Sequence, residues 1–128
     1  DLNTLNFIAS KSKWIENDWN FKNSLHEEVI IITDAKLKIV FASHNITAMN
    51  GYSTAEVVGN TPRMFQGEAT NEIISKEIRK AIIELEPFEK TIINYKKNGE
   101  TYECLIKGFP IFNSKGELSH YIAFEKAA

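Results

Sequence analysis

Few side chains in this chain of 128 residues carry reactive chemistry. Cys104 is the one thiol, which excludes an internal disulfide and any cysteine-rich zinc site. Its simplest reading is a small buried apolar residue, with redox sensing as the sharper alternative. His26, His44 and His120 show no metal-ligand spacing, so no metal site is expected. A nucleophile elbow, an HExxH pair and a phosphate-binding glycine loop are all missing, and no catalytic residue is assigned. What remains is a set of polar groups suited to holding a ligand. Asn94 and Glu125 stand on stretches whose alternation points them inward with Ile92, Ile106 and Ala123. A buried amide or carboxyl needs a partner, whether protein, water or a small polar ligand. Arg63 offers a cation either to a ligand's anionic group or to a surface carboxylate, and Gln66 lies one turn away.

The elements that must position these groups follow from periodicity and punctuation. Residues 1–22 read as an amphipathic helix carrying Leu5, Ile8, Ile15 and Trp19, with Phe7 and Trp14 on a neighbouring stripe. That helix lies either on its own domain or against a second subunit. Glu28–Asp34 and Leu37–Ala42 read as strands and Asn45–Asn50 as a short helix ended by Gly51. Ser53 and Glu56 have capping-box spacing, with Tyr52 and Val57 placed as a hydrophobic staple. Gly59 is expected to end that helix, and Thr61-Pro62 to force a bend. Met64 and Phe65 read as core. Glu72–Leu85 reads as the one long helix, capped by Thr70 or Asn71 and followed by Pro87. Phe88–Lys97, Glu100–Phe112 and Glu117–Glu125 read as strands. Asn98-Gly99 predicts a two-residue type I′ hairpin between the first two.

The last three strands do not alternate cleanly, so both faces of their sheet are apolar and both need a cover. The helices between Asn45 and Leu85 can cover one. The other face, carrying Ile93, Leu105, Phe109 and Phe124, is left for the N-terminal helix, a partner subunit, or both. A net charge of −2 gives no electrostatic footprint for nucleic acid. No apolar run approaches the roughly 20 residues of a spanning helix, and a cytoplasmic location is expected.

The stretch GYSTAEVVGNTPRMFQG from Gly51 to Gly67 resembles the helical side of PAS domains, in particular their light-oxygen-voltage (LOV) branch. The run NYKKNG at Asn94–Gly99 is similar to the family's hairpin, and Pro110 falls in the next strand as the family has it. The resemblance covers about Leu25 to Glu125. It implies an α+β PAS fold, with a five-stranded antiparallel sheet and one long helix among short ones on one face. Residues 1–22 would form a separate dimerisation helix ahead of a PAS domain at 23–128. The resemblance also implies a sensory and signal-relay module of a bacterial multidomain protein. It would pair as a homodimer and regulate an output domain of histidine kinase or cyclic-di-GMP synthase type. Glu56 and Lys97 resemble a PAS surface ion pair. LOV domains bind flavin between helices and sheet and form an adduct from a cysteine, which corresponds here to Pro62. Three flavin-contacting amides correspond to Thr61, Cys104 and Glu125, while Arg63, Gln66 and Asn94 are retained. These departures argue against adduct photochemistry and disfavour flavin, leaving noncovalent flavin binding as the alternative. Haem is not expected, because the long helix has no histidine. The implied ligand set is Arg63, Gln66, Asn94, Cys104, Ile106 and Glu125.

Overall fold

The computed structural model describes residues 1–11 and 21–128. Eleven elements follow one another along it. Helices α1 (Leu2–Lys11) and α2 (Phe21–Glu27) lead into strands β1 (Val29–Asp34) and β2 (Ile39–Ala42). Short helices α3 (Ile46–Asn50) and α4 (Thr54–Val57), a 3-10 turn (Pro62–Phe65) and helix α5 (Glu72–Ile83) come next. Strands β3 (Phe88–Tyr95), β4 (Thr101–Phe112) and β5 (Leu118–Ala127) close the chain. The five strands form one antiparallel sheet in the order β2-β1-β5-β4-β3. Of the long helix expected over residues 1–22, the part carrying Ile15 and Trp19 lies outside the described residues.

Local chemistry explains most boundaries. The Ser53 hydroxyl accepts from the Glu56 N–H at 3.2 Å, and the Glu56 carboxylate accepts from the Ser53 N–H at 2.8 Å. The Asn71 side chain accepts from the N–H groups of Ile73 and Ile74, and so starts α5. Gly51 closes α3 in the left-handed conformation. Gly59 also has a positive φ, with its N–H bonded to the Ile39 carbonyl.

The turns correct three expectations. The Asn98-Gly99 hairpin is not a type I′ turn, because only Gly99 has a positive φ. Lys96 N–H bonds the Glu100 carbonyl and Gly99 N–H the Lys96 carbonyl, the pattern of a three-residue loop with a glycine bulge. The Asn98 side chain is used instead to accept from the Glu100 N–H. The Asn113–Glu117 turn repeats this design with Gly116. So does the Asp34–Lys38 turn, but with Leu37 at the left-handed position (φ 69°), so Leu37 belongs to a turn and not to β2. Leu85 likewise adopts φ 58° where α5 ends. There the N–H groups of Leu85 and Glu86 bond the Ile82 and Ala81 carbonyls in a Schellman arrangement. Leu85 therefore leaves the helix face assigned to it and is exposed. A left-handed conformation costs an L-residue roughly 1–2 kcal/mol, which glycine avoids.

Both faces of the sheet are covered within the one chain. On the outer face Leu5, with Leu2, Ile8 and Leu25 around it, packs on Ile30, Ile32, Phe41, Ile111, Ile122 and Phe124. The Phe109 and Phe124 rings meet edge to face at 6.0 Å. On the inner face Val29, Ile31, Ile39 and Ala42 pack with Ile46, Val57 and Phe65, and Met49, Tyr52 and Met64 complete the layer.

Candidate functional site

Between α5, the 3-10 turn and the inner face of β1, β3, β4 and β5 lies a cavity of about 100 Å³. Its walls include Ile31, Phe65, Ile78, Ile82, Phe88 and Ile106, and its polar groups are Thr33, Gln66, Asn94, Tyr121 and Glu125. The sheet register puts these side chains on one face. Ile106 pairs with Glu125, Gly108 with Phe88 and Ala123, and Ile31 with Ala123. Gly108 is required where it stands, because a Cβ there would meet the Phe88 ring at 2.4 Å. Gly67 fits under the Tyr95 ring for the same reason, and the Tyr95 hydroxyl accepts from the Ala69 N–H at 2.8 Å. The Tyr121 hydroxyl donates to the Ile82 carbonyl at 3.1 Å, tying the end of α5 to β5.

The polar end of this region is deeply buried. Asn94 is 4% exposed, Glu125 6% and Cys104 fully enclosed. The Cys104 thiol donates to Glu125 Oε1 at 3.4 Å. Burial pushes the Glu125 carboxyl up to about 7, offset in part by the thiol hydrogen bond. Burial also pushes the Cys104 thiol far above its ordinary range, with the neighbouring Glu125 adding to the effect. A thiol held in that form is a poor nucleophile, so the redox reading of Cys104 finds no support. The Tyr102 hydroxyl lies beside the Asn50 and Asn94 amides without a well-directed hydrogen bond to either. Asn50 Nδ2 and Thr33 Oγ1 are likewise buried without a partner. Each such group costs about 1–3 kcal/mol unless water or a ligand satisfies it.

Of the residues singled out from the sequence, Gln66, Asn94, Ile106 and Glu125 line one cavity, and Cys104 stands directly behind Glu125. Arg63 does not reach it. Arg63 opens instead onto a wide groove on the far side of Gln66, together with Lys76 and Arg79 and the acidic Glu68 and Glu72. Sequence reasoning missed Lys76 and Arg79. They lie one turn apart on α5, and that spacing was the available signal. It also missed Thr33, Asn50 and Tyr102, whose burial depends on tertiary packing. Ile93, Leu105, Phe109 and Phe124 fall on the outer face by register. Lys97 Nζ and Glu56 Oε2 are 2.7 Å apart at the surface, joining α4 to the hairpin.

A flavin does not fit this cavity. Ligand pockets for molecules of that class span roughly 300–1,000 Å³, and this one, walled by Phe88 and Ile106 among others, holds about 100 Å³. Among the described residues no cluster of His, Cys, Asp or Glu could hold a metal ion. No helix among them is long and apolar enough to cross a membrane.

Comparison with known proteins agrees with this geometry. The dark-state structure of the Aureochrome1 LOV photoreceptor domain superposes with a TM-score of 0.79 at 27% identity, covering 89% of this chain and 86% of that one. The nitrogen fixation regulatory protein of Klebsiella oxytoca is 30% identical over 97 residues, 76% of this chain and 20% of that protein. A blue-light-activated histidine kinase of Brucella canis is 35% identical over 85 residues, 66% of this chain and 17% of the kinase. The chain thus spans about a fifth of the curated relatives it matches. The family model described as PAS domain matches residues 27–126, and with the sheet order and helical cover above, this chain belongs to the PAS domain family.

Proposed function

We propose that this PAS domain is a sensory and signal-relay module that pairs with a second copy of itself and regulates an attached output domain. The proposed output is a histidine kinase or cyclic-di-GMP synthase. The observation that carries the reading is the construction of β5. On that strand Glu125 faces the buried cavity, while Phe124, its immediate neighbour, faces the helix-covered outer side. Occupancy of the cavity that favours one arrangement of β5 would repack the outer layer and α1. Only a difference in affinity between two arrangements can drive such a shift. Similarity to a regulatory protein and to a histidine kinase supports the relay role.

The test is removal of residues 1–20, which carry Leu5 and Ile8. The expected outcome is a changed monomer–dimer balance at micromolar concentration, read by light scattering. An unchanged balance counts against pairing through this face.

A second reading, noncovalent flavin sensing, draws support from Arg63, Gln66 and Asn94 and from likeness to LOV domains. The size of the cavity weighs against it. An absorption spectrum of freshly purified protein decides: a flavin band would revive this reading.

A further inference from the structure

The receptor reading leaves the ligand unspecified, and the cavity lining narrows its class. We infer that the cavity takes a small primary amine, bound as its ammonium against the Glu125 carboxylate with the Asn94 amide beside it. This rests on the receptor reading of the cavity.

Charge is the first argument. Among the described residues Glu125 is the only acidic side chain in the lining, and no Lys, Arg or His stands with it. Arg63, Lys76 and Arg79 open onto the separate groove, and Lys90, on the same face of the sheet by register, is held by Glu77 Oε2 of α5 at 2.8 Å. An anionic ligand would therefore enter next to a carboxylate with nothing to compensate it. A buried carboxylate is tolerated when a cation is paired to it, and otherwise it keeps its proton. The hydrogen bond it receives from the protein comes from a thiol, a weak donor that leaves the charge largely uncompensated. An ammonium supplies both the charge and strong donors.

Shape is the second. The rest of the lining is aliphatic and aromatic, with Phe65, Phe88 and Tyr121 able to face a cation. A volume of about 100 Å³ suits a short alkyl chain and excludes ring systems of cofactor size.

Binding has a defined proton balance. The ammonium replaces the carboxyl proton: Glu125 passes from acid to carboxylate, the ion pair forms, and one proton leaves to solvent for each Glu125 that was protonated. The other titratable groups near Glu125 are Cys104 and Tyr102 on β4 and Tyr121 on β5. Burial pushes all three upward, so they keep their protons. The lining residues of β1, α5 and the 3-10 turn contribute no titratable group.

The experiment titrates n-butylammonium, n-butanol and butyramide into the full chain by calorimetry, in two buffers of different ionisation enthalpy. Butylammonium should bind roughly tenfold or more tightly than either neutral probe. It should release protons near neutral pH, and more of them as the pH is lowered, since burial pushes the Glu125 carboxyl up to about 7. In Glu125→Gln the ammonium should lose roughly tenfold or more in affinity while butanol is unchanged, which also shows that the variant is folded. Ala123→Leu, which fills the cavity, should abolish both. Neutral probes binding as tightly as butylammonium, no proton release, or an unaffected Glu125→Gln variant would each overturn the amine assignment. If butanol alone binds, the amine class fails and the receptor reading stands. If no probe binds, the amine assignment fails and the cavity is removed from the receptor reading as well.

Discussion

The two faces of the sheet are built from the same strands to opposite standards. The outer face is sealed largely by like against like: Leu5 packs with Ile30, Ile32, Ile122 and Phe124, and Lys107, on this face by register, is paired with Glu28 at 2.9 Å. The inner face is sealed by α3, α4 and the 3-10 turn over β1 and β2, but under α5 it stays partly hollow. Helix α5 itself has no fully buried residue. Into that hollow the chain places an acid, two amides and two hydroxyls. One side is optimised for adhesion and the other retains groups whose hydrogen-bonding capacity is unspent. The difference teaches that one set of strands can carry a tightly packed layer where α1 docks and a partly hollow, polar one beneath α5.

The largest expected effect comes from breaking the adhesive side. Leu5→Ala should cost about 2–5 kcal/mol by urea denaturation, as large-to-small changes in tight cores do. A loss well under that range would mean that α1 is a loose cover and that the contrast between the faces is overstated.

The inner face should respond to pH rather than to truncation. The folded value for Glu125, about 7, lies above its ordinary 4.5, so the folded state binds this proton more tightly. Its contribution is complete below the ordinary value and is lost as pH rises through about 7. The total is about 3 kcal/mol. Urea midpoints collected across that window should fall for the native chain and stay level for Glu125→Gln. Parallel curves for the two would show that the carboxyl is not held in its acid form. Glu56 has the opposite sign. The Lys97 ammonium and the Ser53 N–H hold it down to about 2, so its contribution is present above 4.5 and is lost only in acid below the window.

The smallest of the three effects sharpens where the hollow ends. Gly108→Ala places a methyl against the Phe88 ring and should cost about 1–3 kcal/mol as overpacking. An additional loss of probe binding would show that the displaced ring had moved into the cavity. Unchanged stability would mean that the ring swings outward freely.

Much of this contrast was legible in the residues. The capping box at Ser53 and Glu56, the Asn71 cap and the β-branched run of β1 are local signals, and local signals survive folding. The period of two separated Asn94 and Glu125 from Ile93 and Phe124 before any register was known. The left-handed leucines were not legible, because nothing in their side chains asks for positive φ. Hydrogen bonding across the Asp34–Lys38 turn and the end of α5 imposes it. Nor could proximity in sequence reveal that Arg63 opens onto the groove and not the cavity, whereas Gln66, three residues on, lines both.

The bulge between Ile111 and Phe112, just before the Asn113–Glu117 turn, decides how β5 is threaded against β4. Were the strand misaligned by a single step, Glu125 would arrive in the grease beneath α1 and Phe124 would plug the chamber. No single-step shift suits both layers, so the one register that buries Phe124 under α1 is also the one that turns Glu125 toward the cavity.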